Sequence, residues 1–254
     1  MSNILENKKQ HKKKIKMAKI KLPKRIFGID TAEAFERVMK EAENPMTGQE
    51  QVQEKAPDLK GFVYVPSIKL YLAKERDLNG LNWNQAQEEL RKRNLMMPTP
   101  YQFREFLKFL KTGYQDRQEA EKILDEILTV RNPWRAEWLN ARFEKRKDGL
   151  YMISENILVN GKYQNIEQKL DNFLAEDKTP GISLDDWLNS NSQHGLPTAK
   201  VKKGELYYWY PRSGSVAGFG ADSVWAYLGC YWGPEYSDSL LGVRACAKKI
   251  AGAK

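Results

Sequence analysis

Apolar side chains recur along this chain with two different periods, and the periods divide it. Phe35, Val38, Met39 and Ala42 share one face of a helix, with Asp30 and Glu33 as its start signal. Residues 44–60 are polar and contain Pro45, Gly48 and Pro57, which predicts a loop. In "GFVYVPSIKLYLA" (61–73) the period drops to two. Ile68, Leu70 and Leu72 alternate with Lys69 and Tyr71, and Pro66 forces a bend or an edge, so a strand pair or bent strand is predicted. Helical spacing returns twice. "NWNQAQEELRKRN" (82–94) aligns Trp83, Ala86 and Leu90. "TPYQFREFLKFLKTG" (99–113) aligns Phe103, Phe106, Leu107 and Leu110 between Thr99 as N-cap, Pro100 at the first helical position and Gly113 as a stop. A third helix, roughly 116–130, carries Ala120, Ile123, Leu124, Ile127 and Leu128.

Beyond Pro133 the helical stripes give way to strands. Residues 136–145 and 149–166 read as strands, with Asn160-Gly161 as a hairpin turn. Residues 167–203 read as a long polar connection with helical pieces around Leu170–Leu174 and Leu184–Leu188. "ELYYWYP" (205–211) is an aromatic strand. The remainder is rich in Gly and Ser and ends in an "LLGVRAC" strand. No internal repeat is present.

Composition adds limits. The 254 residues are 41% hydrophobic and 30% charged, enough for a packed core. The net charge of +9 resides in one place. Residues 1–25 hold ten Lys and Arg against Glu6 alone, and the remaining 229 residues balance 32 bases with 32 acids. The expected domain therefore runs from 26 to 254 behind a disordered, Lys-rich tail of 1–25. That tail is a solvated leader or, through phosphate contacts, the one route to nucleic acid. The start of the chain lacks the apolar run of a secretory signal, and no stretch of about 18 apolar residues exists. A cytoplasmic location with no membrane span is the expectation. Cys230 and Cys246 are too few for a disulfide framework. Two buried thiols are expected, with a single bridge as the alternative.

One window departs from this composition. Residues 204–247 contain no Lys and hold ten of the 28 aromatic residues. A β-rich core that needs aromatics accounts for Tyr208 and Tyr210, which alternate on a strand. It accounts less well for Tyr231, Trp232 and Tyr236, which sit among Gly, Pro, Ser and Asp. Those turn-forming neighbours place the three rings outward. Tyr and Trp offer large contact area for few rotatable bonds, and Ser and Gly adapt around them, the mixture that binding loops use.

The run "SGSVAGFGADSVWAYLGCYWGPEYSDSLLGVRAC" (213–246) resembles the variable region of diversity-generating retroelement target proteins, and "NWNQAQEELRKRNLMMPTPYQFREFLKFL" (82–110) is similar to the two-helix part of their fold. The resemblance covers about two thirds of the chain. It implies an α+β, C-type-lectin-like fold of the formylglycine-generating-enzyme (sulfatase-modifying) type. That fold has a small mixed or antiparallel sheet, two or three packed helices, and an insertion at 114–135 or 167–203. It implies a framework of Ser215, Val216, Ala217, Phe219, Ala221, Ser223, Ala226, Leu228, Cys230, Pro234, Leu241, Gly242, Val243 and Arg244 that packs inward. It also implies a variable set between them, rewritten at template adenines, that faces a protein or other macromolecular ligand. That set is Gly218, Gly220, Asp222, Val224, Trp225, Tyr227, Gly229, Tyr231, Trp232, Gly233, Glu235, Tyr236, Asp238 and Ser239, within a region of about 213–244. Adenine changes at an AAY codon cannot produce Lys, Gln, Met, Glu or Trp. From Ala217 to Leu240 there is no Lys, Gln or Met, and Trp225, Trp232 and Glu235 are the exceptions. Near-alternation from Val216 to Cys230 fits a strand with one face in the core.

Catalysis has less support. His11 and His194 form no zinc pair, and neither a GxGxxG, a phosphate loop nor a GxSxG motif is present. The formylglycine-generating relatives use a reactive cysteine pair, so Cys230 and Cys246 keep an enzyme as the alternative. "GPEY" lacks the carboxylate–Pro–Asn/Asp pattern of calcium-dependent sugar binding. Asp185-Asp186 reads as a solvated helix start. The expectation is a binding protein with no cofactor and no metal.

Overall fold

Thr99, Pro100 and Gly113 bound a helix as the sequence predicts, whereas Asp30, expected with Glu33 to start one, lies in a strand. The computed structural model describes the backbone of residues 25–26 and 29–30, together with residues 57–170 and 174–248. Contacts divide the chain into two compact units, Met1–Gln53 and Glu54–Lys254. In the first, β1 (Arg25–Ile26) pairs antiparallel with β2 (Ile29–Asp30). The helix expected over Phe35–Ala42 and residues 1–24 of the expected tail lie outside the described residues, and Arg25, the last residue expected in that tail, is in β1.

The second unit opens with the hairpin of β3 (Phe62–Val65) and β4 (Leu70–Ala73), the strand pair expected around Pro66. Three helices follow. In α1 (Trp83–Lys92) the Asn82 side chain receives the Gln85 N–H and the Gln85 side chain returns to the Asn82 N–H. In α2 (Pro100–Thr112) Thr99 and Gln102 make the same reciprocal cap. Asp116 caps α3 (Arg117–Leu128). The apolar faces expected from spacing are buried: Trp83, Ala86 and Leu90 on α1; Phe103, Phe106, Leu107 and Leu110 on α2; Ala120, Ile123 and Ile127 on α3.

A mixed sheet of eight strands carries the rest. β5 (Arg135–Arg146), β6 (Gly149–Val159) and β7 (Lys162–Lys169) form a meander. Asn160 and Gly161, both at positive φ, make its second turn. β8 (Lys178–Ile182) and the short α4 (Leu184–Leu188) precede β9 (Leu206–Trp209), β10 (Val216–Ala221), β11 (Ala226–Trp232) and β12 (Leu241–Val243). The order across the sheet is β7-β6-β5-β10-β11-β9-β8, with β12 parallel to the start of β5. β13 (Cys246–Lys248) leaves this sheet and pairs with β4.

Several expectations change. The α+β class stands, but the sheet is not small, and four α-helices occur among the described residues. Within 167–203, β7 runs on to Lys169 and a further strand, β8, appears. Leu174 bridges Thr198 instead of ending a helical piece, and 171–173 lie outside the described residues. "LLGVRAC" is two strands in two sheets, broken at Arg244 and Ala245. Nor does the framework pack into a single interior. Ala217, Phe219, Leu228 and Cys230 join the main core with α2, α3 and α4. Val216, Leu241 and Val243 lie on the other side with Trp83, Ala136 and Trp138, under α1. Val216 and Ala217 are adjacent in a strand, so they point to opposite faces, and both faces are covered there.

A buried ion network ties these layers together. Glu137, on β5, is fully enclosed. Its Oε1 receives Arg135 Nη2 at 2.6 Å and its Oε2 receives Arg244 Nε at 3.0 Å. Arg244 also donates to Glu126 on α3 at 2.8 Å and to the carbonyls of Ala73 and Lys74 beside β4. Burial alone would raise the Glu137 pKa, but the guanidiniums of Arg244 and Arg135 outweigh it and hold the carboxyl below its usual range. Breaking a buried pair on one side strands the remaining charge. Glu137→Gln is therefore expected to cost about 3–5 kcal/mol in urea unfolding. A carboxyl depressed in the folded state stabilises above its unfolded pKa of about 4.3 and stops doing so as pH falls through the lower folded value. Thermal midpoints of the native chain are expected to drop as pH falls below about 4, more steeply than those of Glu137→Gln.

Candidate ligand-binding surface

β10 and β11 form a hairpin whose two faces carry different chemistry. In register, Gly218 faces Gly229, Phe219 faces Leu228 and Gly220 faces Tyr227. Phe219 and Leu228 enter the main core, where Phe219 stacks on Trp187 with centroids 6.2 Å apart. The alternate positions point to the opposite face. Asp222 closes the turn: its Oδ1 receives the N–H groups of Val224 (2.8 Å) and Trp225 (3.0 Å), and its carbonyl receives the N–H of Arg131 at 2.7 Å.

On the outward face, small residues make room for large ones. A methyl carbon on Gly220 would sit 2.6 Å from the Tyr227 ring, and one on Gly229 would sit 2.7 Å from Nε1 of Trp232. Trp232 also lies 3.3 Å from where a Gly218 methyl would be. The glycines thus form a floor on which Tyr227 and Trp232 rest. Trp232 is the hub of an aromatic sheet, with centroids 6.1 Å from Trp134, 5.9 Å from Trp138, 6.4 Å from Tyr227, 5.6 Å from Tyr231 and 5.4 Å from Tyr236. The neighbouring strand extends the patch: Trp209 meets Tyr231 edge-on at 5.8 Å, and Tyr207 stacks on Trp225 at 3.8 Å.

The segment from Gly233 to Leu240 is held as a loop against α1. Trp83 N–H donates to the Pro234 carbonyl, and Gly80 N–H to that of Leu241. Glu235 accepts from Asn82 at 3.1 Å and from Asn84 at 2.5 Å. Between this loop and the β10–β11 turn lies an open cleft of about 370 Å³, walled by Trp134, Tyr227, Trp232 and Tyr236 with Arg131, Asn132, Asp222 and Ser223. A second groove of about 750 Å³, more apolar, runs past Leu128, Val130, Leu206, Tyr207, Val224 and Trp225.

The residues expected to face outward divide into three groups. Val224 (62% accessible), Tyr231 (39%) and Tyr236 (42%) are exposed, as are Gly233, Glu235 and Ser239. Asp222, Trp225, Trp232 and Asp238 are half-buried. Tyr227 (6%), Gly218, Gly220 and Gly229 lie on the outward face but are covered, a correction to the reading that every alternate position meets solvent. The covering comes from the rings themselves. Trp134, Tyr207 and Trp209 complete the patch and were not expected there. Tyr207 and Trp209 alternate with buried Tyr208, which was the available signal, whereas nothing local in the sequence marks Trp134. Tyr208 is fully buried, as a core strand requires, and Tyr210 is partly so.

Both cysteines are free and buried, and burial pushes both thiols well above their ordinary pKa. Neither is poised as a thiolate at neutral pH. No group of three or more His, Cys, Asp or Glu placed to hold a metal occurs among the described residues. No helix of the described residues is long and apolar enough to cross a membrane. No protein-family model matches the chain, nor does any curated protein or solved structure match it significantly.

The glycine floor yields a contrast between two substitutions. Gly220→Ala is expected to cost about 1–3 kcal/mol in urea unfolding, because the buried Tyr227 ring cannot yield and the Arg135 carbonyl stands 3.1 Å behind it. Gly229→Ala meets the half-exposed ring of Trp232, which is free to tilt. Its expected signature is a red shift in tryptophan emission with less than about 1 kcal/mol lost.

Proposed function

We propose that this chain is a non-catalytic binding protein that recognises a protein or other macromolecular ligand through the aromatic face of β9, β10, β11 and the 233–240 loop. We further propose that a retroelement diversifies this surface by adenine-directed mutagenesis on a C-type-lectin-like frame. The observation that carries the reading is the sorting of residues 216–244. Ala217, Phe219, Leu228, Cys230 and Arg244 are enclosed, while Val224 and Tyr231 on the hairpin and Tyr236 on the loop after it, interleaved with them, stay exposed. Rigid Tyr and Trp side chains at the centre of a patch, with Asp and Ser at its rim, are the composition of a binding hot spot. The burial and raised thiol pKa of Cys230 and Cys246 favour this reading over a cysteine-dependent enzyme.

The reading separates positions that diversify from those that cannot. Glu235, tied to two asparagines of α1, belongs with the fixed set. Sequencing the gene across a natural population is the test. Changes are expected at 222, 224, 231, 236 and 239, beside a near-copy of the segment that differs at adenines, with Ala217, Phe219, Leu228, Glu235 and Arg244 constant. Changes spread evenly across frame and face would overturn the proposal. In binding assays with a ligand selected against the full chain, Tyr231→Ala combined with Tyr236→Ala is expected to weaken binding at least about tenfold. The same pair should lose less than about 1 kcal/mol of stability, since both rings reach solvent and neither belongs to a core cluster.

A further inference from the structure

The open cleft beside Trp232 has a definite chemistry. Four aromatic rings line it, Trp134, Tyr227, Trp232 and Tyr236, and Asp222 stands at its rim. Asp222 uses Oδ1 to close the hairpin turn, and its Oδ2 has no donor among the described residues. Asp238 and Glu235 add negative charge on the adjoining loop. The Tyr231 hydroxyl is pushed up by burial and then by Asp222, and that of Tyr236 by burial and then by Asp238. Of the nearby cations, Arg135 is committed to Glu137 and Glu126, and Arg131, at the cleft wall, is turned to the end of α3, donating to the carbonyls of Asp125 (3.2 Å) and Thr129 (3.3 Å). A third, Arg212, places its guanidinium over the Tyr231 ring at 6.0 Å, so this aromatic face already holds one planar cation.

Resting on the recognition reading above, we propose that the cleft takes the guanidinium of an arginine side chain presented by a protein partner, which lies against Trp232, Trp134 and Tyr236 with Asp222 as its counter-ion. Ring faces attract cations through their quadrupole. A planar guanidinium stacks on indole and pairs with carboxylate at once, which an ammonium does less well. The Lys-free window of 44 residues brings no ammonium of its own to these rings, and its Arg212 lies over Tyr231 and not among the residues that line the cleft.

The probe is Nα-acetyl-arginine amide, with Nα-acetyl-citrulline amide as an uncharged control of the same shape. Each is titrated into the full chain while the tryptophan indole N–H signals are followed by NMR, with Trp232 assigned from Trp232→Phe. The expected result is a saturable shift of the Trp134 and Trp232 signals, about tenfold weaker with the citrulline amide. A comparable weakening is expected in Asp222→Asn, which keeps the Oδ1 acceptor of the turn and hence the fold. Tyr236→Ala should weaken binding in the same direction. Equal response to both amides, or an unchanged titration in Asp222→Asn, overturns the proposal. If arginine amide moves neither indole while selected ligands still require Tyr231 and Tyr236, the cation assignment falls and recognition stands. If selected ligands are also indifferent to Tyr231 and Tyr236, both fall.

Discussion

The enclosed carboxylate of Glu137, gripped by Arg135 and Arg244, is the constraint on which the aromatic face depends. A buried charge is tolerated only when its partners are fixed, so each of these residues dictates the position of the others. Arg244 ends the segment that carries the aromatic face, and its guanidinium reaches α3 and the end of β4 as well as β5. The other end is fixed by Ser215, whose hydroxyl stands within hydrogen-bond reach of the Arg212 and Cys230 carbonyls with one proton to give, and whose own carbonyl receives the N–H of Phe143. Between these two ties runs the segment that carries the aromatic face.

The hairpin geometry then sets what the outward side chains can be. Directly paired positions on one face stand close enough for their side chains to touch, so two large rings cannot occupy Gly220 and Tyr227 together. The face here resolves that crowding with glycine at 218, 220 and 229 and rings at 227 and 232. Another sequence on the same frame would have to place its bulk differently, for instance with small residues at 227 and 232 over larger ones on the floor. On the proposed reading, diversity at such a surface would be correlated across the strand pair, since the shape of the cleft follows from which partner of each pair is large.

Helices were legible because caps and stripes are local. Asn82 with Gln85 and Thr99 with Gln102 lie three residues apart, and both capping boxes form. The burial of Phe219 and Leu228 was what the family resemblance implied, and near-alternation along the strand agrees with it. What spacing could not reveal depends on distant parts of the chain. Glu235 is held by asparagines more than 150 residues earlier. Val216 has a second core beneath it only because Trp83 and Trp138 arrive there. β7, "KYQNIEQK", is an edge strand with little apolar alternation, so its extension past 166 left no mark. Tyr227 was placed on the correct face, but its burial depends on Trp232 folding back over the glycines.

The central claim is that one hairpin and its following loop carry two interleaved sets of side chains with separate duties. A saturation-substitution scan over residues 213–244, scored for folded yield alone, tests it most directly. The account requires folded yield to survive most replacements at 224, 231, 236 and 239 and to collapse at 217, 219, 228 and 244. Tyr231 and Tyr236 proving as intolerant as Phe219 and Leu228 would contradict it.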